Sequence, residues 1–295
     1  MLWRIPDRIA THIMVPDEKK KKTESAGQLF TDTSSAETTY SSRRHSSAAA
    51  GRRSRVLGHL TEDIRSSVFA EFQLVLLTFC TGMQDATTFP DYHCFTSNQT
   101  GNTVFLCLAL ILPHLNGESF ITANIGMALG LFLGAGWLTG QLSHTIGPRK
   151  RWWLVLCNLI QTGLVLGAAA VQFRHGVRDR GSSALAAVGL LAAAAGSQVV
   201  QSRSLSMTEI STAMATAAWV DLIIDPRLFA LQNRPRTRRV AFLLALVAGT
   251  LVGALIYREA GSATAIAVSG GGKLLVTVLF LFSPGDKQRQ DPSQA

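Results

Sequence analysis

Residues 68–89 read VFAEFQLVLLTFCTGMQDATTF, an apolar run long enough to cross about 30 Å of hydrocarbon as a helix. Its last third breaks up into GMQDATTF, and the carboxylate there, Asp85, is costly in hydrocarbon unless it is paired, hydrated or used. A polar string, SNQTGN (Ser97 to Asn102), follows within a few residues and opens a further apolar stretch. This order of residues predicts a membrane protein with a polar centre inside the membrane.

The remaining chain extends the pattern. Five more apolar runs of spanning length cover about 121–142, 152–172, 183–202, 239–257 and 264–283, and two short ones cover about 100–113 and 212–225. Of the 295 residues 47% are hydrophobic and only 16% charged, and no Lys or Arg occurs between Arg65 and Arg149. A soluble surface needs charge throughout, whereas a membrane domain needs it only in its loops. The expected fold is therefore an all-α integral membrane protein with about six transmembrane helices, two short broken or re-entrant helices and a disordered amino-terminal tail.

Three segments follow: a basic, Ser-rich tail (1–66), a polytopic membrane domain (67–283) and a short polar carboxy-terminal tail (284–295). The first tail lacks periodic apolar positions and reads as disordered. It has no apolar core near Met1 of the kind a cleavable signal needs, and its scattered acids argue against a presequence. Arg43, Arg44 and Ser46 match the pattern favoured by basophilic kinases, so Ser46 is a phosphorylation candidate. The run Lys19 to Lys22 suits anionic lipid headgroups.

The net charge of +9 comes from the tail and short loops, without aromatic interleaving or a groove-reading motif, and nucleic acid is not an expected partner. The expected partners are the lipid bilayer and a small solute or ion, and the glycine-faced helices are compatible with a homo-oligomer. The positive-inside bias puts both termini in the cytosol, without naming the membrane. The four cysteines form neither a disulfide framework nor a zinc spacing. No HExxH, GxSxG, Walker loop or His/Cys cluster is present, so neither an enzyme nor a metal or other cofactor is expected.

Two halves, about 67–172 and 183–283, read as an internal repeat. LLTFCTGMQ (Leu76 to Gln84) aligns with LLAAAAGSQ (Leu190 to Gln198) at an offset of 114, Thr100 with Thr216 near 116, and Gly130 and Gly134 with Gly249 and Gly253 at 119. Repeats of this kind are common in secondary transporters, whose sites lie where the halves meet and helices are interrupted. If the short runs do not cross, each half has three spans and the repeats are inverted; if they cross, each has four and the repeats are parallel. Segment length favours the first arrangement, which puts Arg149 to Arg151, Arg203 and the stretch from Arg227 to Arg239 on the cytosolic side.

The candidate binding residues are Asp85, Gln84, Asn98, Thr100, Gly101 and Asn102 in the first half, with Gln198 and Thr216 in the second. Gln99, Gln201, Thr212 and Asp221 add polar groups nearby. Carboxylate, amide and hydroxyl groups around the start of a short helix can hold a cation, a proton or a small polar solute. Helix capping by Asn98 and Thr100 is the architectural alternative. Asp85 aligns with Val199, which points to an asymmetric site. Gly126, Gly130, Gly134, Gly249 and Gly253 are read as helix-packing positions, and Lys273 as a side chain that snorkels from the last span. A scaffold or regulator acting through the basic tail is the alternative to a transporter.

GMQDATTF followed by SNQTGN resembles the Gly-x-x-Asp-Ala and Thr-Gly-Asn signatures of the YoaK-like integral membrane proteins. MTEISTAMATAAWVDLIIDP (207–226) looks like the second-half element of fungal-type members. The resemblance covers about residues 68–283 and implies a multi-pass membrane protein with no assigned activity, cofactor or catalytic residue. Where the family shows Thr-Gly-x in the second half, this chain has Thr216-Ala217-Ala218, which again leaves the first half as the richer one.

Overall fold

The computed structural model describes residues 58–117 and 119–286. Ser46 and the run Lys19 to Lys22 lie outside the described residues. Eight α-helices follow Ser67: α1 (Val68–Tyr92), α2 (Gln99–Ile111), α3 (Thr122–Ile146), α4 (Arg151–His175), α5 (Ser182–Ser204), α6 (Ala215–Ile223), α7 (Arg234–Ala260) and α8 (Ser262–Leu281). Among the described residues there is no β-strand, only isolated bridges in the loops. The fold class is all-α, with the helices of an integral membrane protein.

Helix ends follow local chemistry. Ser67 is extended and its Oγ accepts the Ala70 N–H, while His93 closes α1 in the left-handed region with its N–H on the Phe89 carbonyl. Asn233 caps α7 by accepting the Arg236 N–H at 3.1 Å, and a proline occupies the first turn, where no intrahelical N–H is needed.

Five helices, α3, α4, α5, α7 and α8, are long and apolar enough to cross a bilayer. α1, expected as a sixth, has the length but is more polar. Gln73, Thr78, Thr81, Gln84, Thr87 and Thr88 are all buried within the bundle, so its polar groups meet protein rather than lipid. The lipid-facing character sits outside, where Leu110, Ile111, Leu133, Trp137, Phe173, Leu244 and Leu251 are exposed. Large apolar side chains on the outer surface and polar ones inside suit a hydrocarbon solvent.

Helix directions can be read from contacts. Gly249 packs on Phe79 and Gly253 on Met83, so α7 runs parallel to α1. Gly189 packs on Leu131, Gly196 on Phe132 and Gly140 on Val200, so α3 runs parallel to α5. Gln73 reaches Ser283 at 2.8 Å and Gln84 reaches Ser269 at 2.6 Å, so α1 and α8 are antiparallel. Gln161 bonds Ser197 and Gln201 bonds the Leu154 carbonyl, so α4 and α5 are antiparallel. α4 and α8 are antiparallel as well, with Gly270 beside Val165 and Lys273 beside Gln161. Taken together, these pairs make the six long helices alternate in direction along the chain.

The short helices lie on excursions that begin and end at one level. α1 ends where α3 begins, because Asn124 Nδ2 donates to the Tyr92 carbonyl at 2.9 Å. α5 ends where α7 begins, since Arg149 donates to the Ser204 carbonyl while Arg238 bridges Glu209 and Glu71. That second end also holds Arg151, which contacts the His59 carbonyl and Glu62. Arg149 to Arg151, Arg203 and residues 227–239 thus share an end with the start of α1, and Arg174, Arg178 and Arg180 lie at the other.

Two of the close helix approaches recur at a constant offset of 114. A Cβ on Gly82 would lie 2.5 Å from the Leu246 carbonyl, and one on Gly196 would collide with the Phe132 carbonyl; Gly82 and Gly196, like Phe132 and Leu246, are 114 residues apart. A Cβ on Gly253 would lie 2.6 Å from the Met83 Cα, and the positions 114 residues earlier and later, Thr139 and Ser197, are joined by a 3.0 Å hydrogen bond. The expected pairing of Gly130 and Gly134 with Gly249 and Gly253 is corrected by this packing. Gly126, Gly130 and Gly134 are exposed, and a Cβ on any of them would meet nothing within 4 Å. α3 buries a different face, led by Asn124, Ile125 and Ala128, so the regular glycine spacing marks its outer side.

Arg151 is another correction. Read from sequence as a loop charge, it is fully buried and donates to the carbonyls of Phe280, Leu281 and Ser283 as well as His59. It thereby satisfies the carbonyls that the end of α8 leaves open. Removing a charged donor from several buried acceptors costs on the order of 3 kcal/mol. Arg151→Met is expected to lower the thermal unfolding midpoint of the detergent-solubilised protein; an unchanged midpoint would show that the staple is dispensable.

Candidate functional site

The first turns of α2 and α6 line one cavity of about 450 Å³. Its walls are Asp85 from α1, Ser97 and Asn98 from the connecting loop, Gln99, Thr100 and Gly101 from α2, and Ala213 to Ala217 around the start of α6. Phe132 of α3, Val199 of α5 and Leu246 of α7 complete it. Phe132 and Leu246 lie near the middle of their helices, so the cavity sits midway along the bundle. Asp85 and Val199, 114 residues apart, face it from the two central helices.

The loop before α2 is built to bring these groups in. Asn102 holds it closed: its Oδ1 accepts the Phe95 N–H at 3.0 Å, and its Nδ2 donates to the Phe95 carbonyl at 2.6 Å and to Gln99 Oε1 at 2.8 Å. Phe95 stacks on Phe89 with ring centroids 4.8 Å apart. A Cβ on Gly101 would press on that Phe95 ring at 3.3 Å, so glycine there lets the loop lie close to α2. Ser97, carried at the end of this loop, donates its hydroxyl to Asp85 Oδ2 at 2.5 Å. The other carboxylate oxygen, Oδ1, is buried without a hydrogen-bond partner.

No side chain caps either short helix, contrary to the capping alternative for Asn98. Apart from the Met214 N–H, which Ser211 Oγ accepts at 3.0 Å, both amino-terminal turns line the cavity with no side-chain acceptor on their backbone N–H groups. Among the candidate residues, Asp85, Asn98, Thr100, Gly101 and Thr216 line the cavity. Gln84, Asn102 and Gln198 do not: Asn102 holds the loop, Gln84 donates to Ser269 Oγ at 2.6 Å, and Gln198 belongs to a second buried cluster. Asp221 is taken up in a 3.6 Å ion pair with Arg239. Thr212 is buried in the left-handed region just ahead of α6.

The second cluster surrounds Lys273, which does not snorkel. It is buried, and its ammonium bonds Gln198 Oε1 and lies 3.4 Å from Gln161 Oε1. Gln198 in turn donates to Thr81 Oγ1 at 2.9 Å, and Gln161 donates to Gln201 Oε1 at 3.0 Å. A lysine in the middle of a long helix can reach only its neighbours. The run SGGGK (269–273) carried the signal for burial, because Gly270 and Gly272 let Leu166 and Cys80 close over it.

The site falls within one family match. The model of the family described as a protein of unknown function, DUF1275, matches residues 73–279. The chain belongs to the DUF1275 family. The match runs from α1 to α8 and so takes in both short helices, the cavity of this DUF1275 chain and its Lys273 cluster. No curated protein and no solved structure matches it.

Proposed function

We propose that this DUF1275 chain is a small-solute or ion carrier of the YoaK-like, fungal type, whose membrane domain (67–283) is a pair of inverted repeats with six crossings. In this reading α2 and α6 are re-entrant helices, α1 is the sixth crossing, and the basic end of the bundle is cytosolic. The constant offset of 114 between packing pairs and the alternating helix directions support the repeat. The observation that carries the carrier reading is the convergence of both re-entrant helix starts and Asp85 on one cavity midway along the bundle. Interrupted helices at the meeting of two inverted halves suit a site that opens alternately to either side.

Single cysteines at Thr100 and Thr216, in a chain whose four native cysteines are replaced, test this in sealed vesicles. A carrier exposes its cavity to each side in turn, so a membrane-impermeant maleimide should label both positions from outside and, in inverted vesicles, from inside. Labelling of both positions from one side only would contradict the reading.

A further inference from the structure

We propose that the cavity binds a small zwitterion, with its anionic group on the first turn of α6 and its cationic group on Asp85, an assignment that rests on the carrier reading of the same cavity. Two helix starts face the cavity, and each brings the positive end of a helix dipole. At α2 that charge has a built-in counterpart in Asp85, held by the Ser97 hydroxyl. At α6 the corresponding wall position is Val199, which supplies neither charge nor acceptor. No other carboxylate lines the cavity. The α6 turn is therefore the place for a ligand's negative group.

Asp85 calls for the opposite charge. Its Oδ1 is buried and has no hydrogen-bond partner, Asp85 itself lines the cavity, and no Lys, Arg or His stands among the lining residues. The nearest charges behind the walls reinforce this polarity. Arg203 donates to the sulfur of Met214, the residue before α6, at 3.1 Å, which adds positive potential at the anion end. Lys273 is engaged by Gln198 and Gln161 and does not line the cavity. A ligand with an ammonium at one end and a carboxylate at the other meets both unmet groups while remaining neutral overall.

The test uses the detergent-purified full chain and follows its thermal unfolding with alanine, and separately with acetate and with ethylammonium, the two single-charge halves. Alanine should raise the midpoint, and neither half should do so alone. Asp85→Asn should weaken alanine binding by about tenfold to a hundredfold, the loss of a charge-assisted hydrogen bond. Val199→Asp places a carboxylate at the α6 end and should also remove the alanine response, while allowing 1,2-ethanediammonium to stabilise the protein. An equal shift with acetate alone, an equal shift with ethylammonium alone, or no shift with alanine would each overturn the proposal. If alanine fails but another solute crosses in an Asp85-dependent way, the zwitterion falls and the carrier stands. If alanine binds but the cavity cysteines label from one side only, the carrier falls and the site stands.

Discussion

Gly196→Leu is expected to leave no folded protein in detergent extracts. Gly196 sits where α5 crosses α3, and even a Cβ there collides with the Phe132 carbonyl. Backbone cannot rotate aside as a side chain can, so α5 and α3 must separate. Ordinary overpacking costs about 1–3 kcal/mol, and Gly196→Ala is expected at the top of that range. The leucine adds three further carbons to an occupied crossing. Gly130→Ala is the control: nothing lies within 4 Å of its Cβ, and the gain in helix propensity, up to about 1 kcal/mol, should leave stability equal or higher. Size-exclusion profiles and thermal midpoints of the three variants check this. A monodisperse Gly196→Leu protein would mean that α3 and α5 do not cross as described.

These two glycines also show what could be read from the chain and what could not. Glycines at every fourth residue define a face, and Gly126, Gly130 and Gly134 do form one. Spacing is silent about whether another helix lies on that face, and here none of the described residues does. Gly82 and Gly196 lacked a spacing motif, but they stood at matched places in the aligned segments 76–84 and 190–198, and the alignment was the better guide. The cavity was legible for a related reason. Asp85 and the string Ser97 to Asn102 are polar groups in apolar surroundings, and their cost in hydrocarbon marks them as belonging together.

What could not be read was the sharing of polar groups between neighbouring clusters. Gln84 is next to Asp85 in the chain, yet successive residues on a helix point about a quarter-turn and more apart, so it faces Ser269 on α8 while Asp85 faces the cavity. Gln198 and Val199 divide in the same way on α5. Lys273 and Arg151 looked like interfacial charges because long basic side chains often reach water. Both are instead enclosed by segments distant in sequence, Lys273 by Gln161 and Gln198, Arg151 by the end of α8 and by His59. Only the assembled bundle brings those acceptors together.

The second large effect falls on Asp85. Asp85→Asn keeps the side-chain volume and an oxygen to accept the Ser97 hydroxyl, so the loop before α2 has no reason to move. It removes the charge and replaces one acceptor with a donor at the cavity. A hydrogen bond to a charged group contributes about 1.5–3 kcal/mol, which corresponds to roughly a tenfold to hundredfold loss of affinity. The most direct measurement is the uptake of labelled amino acids, other small polar solutes and inorganic ions by proteoliposomes holding the wild-type chain or Asp85→Asn. The prediction is that the wild type accumulates at least one of them and that Asp85→Asn, with an unchanged elution profile and melting point, loses at least about nine-tenths of that rate. Undiminished uptake by Asp85→Asn, or a wild type that moves none of the solutes, would contradict the account.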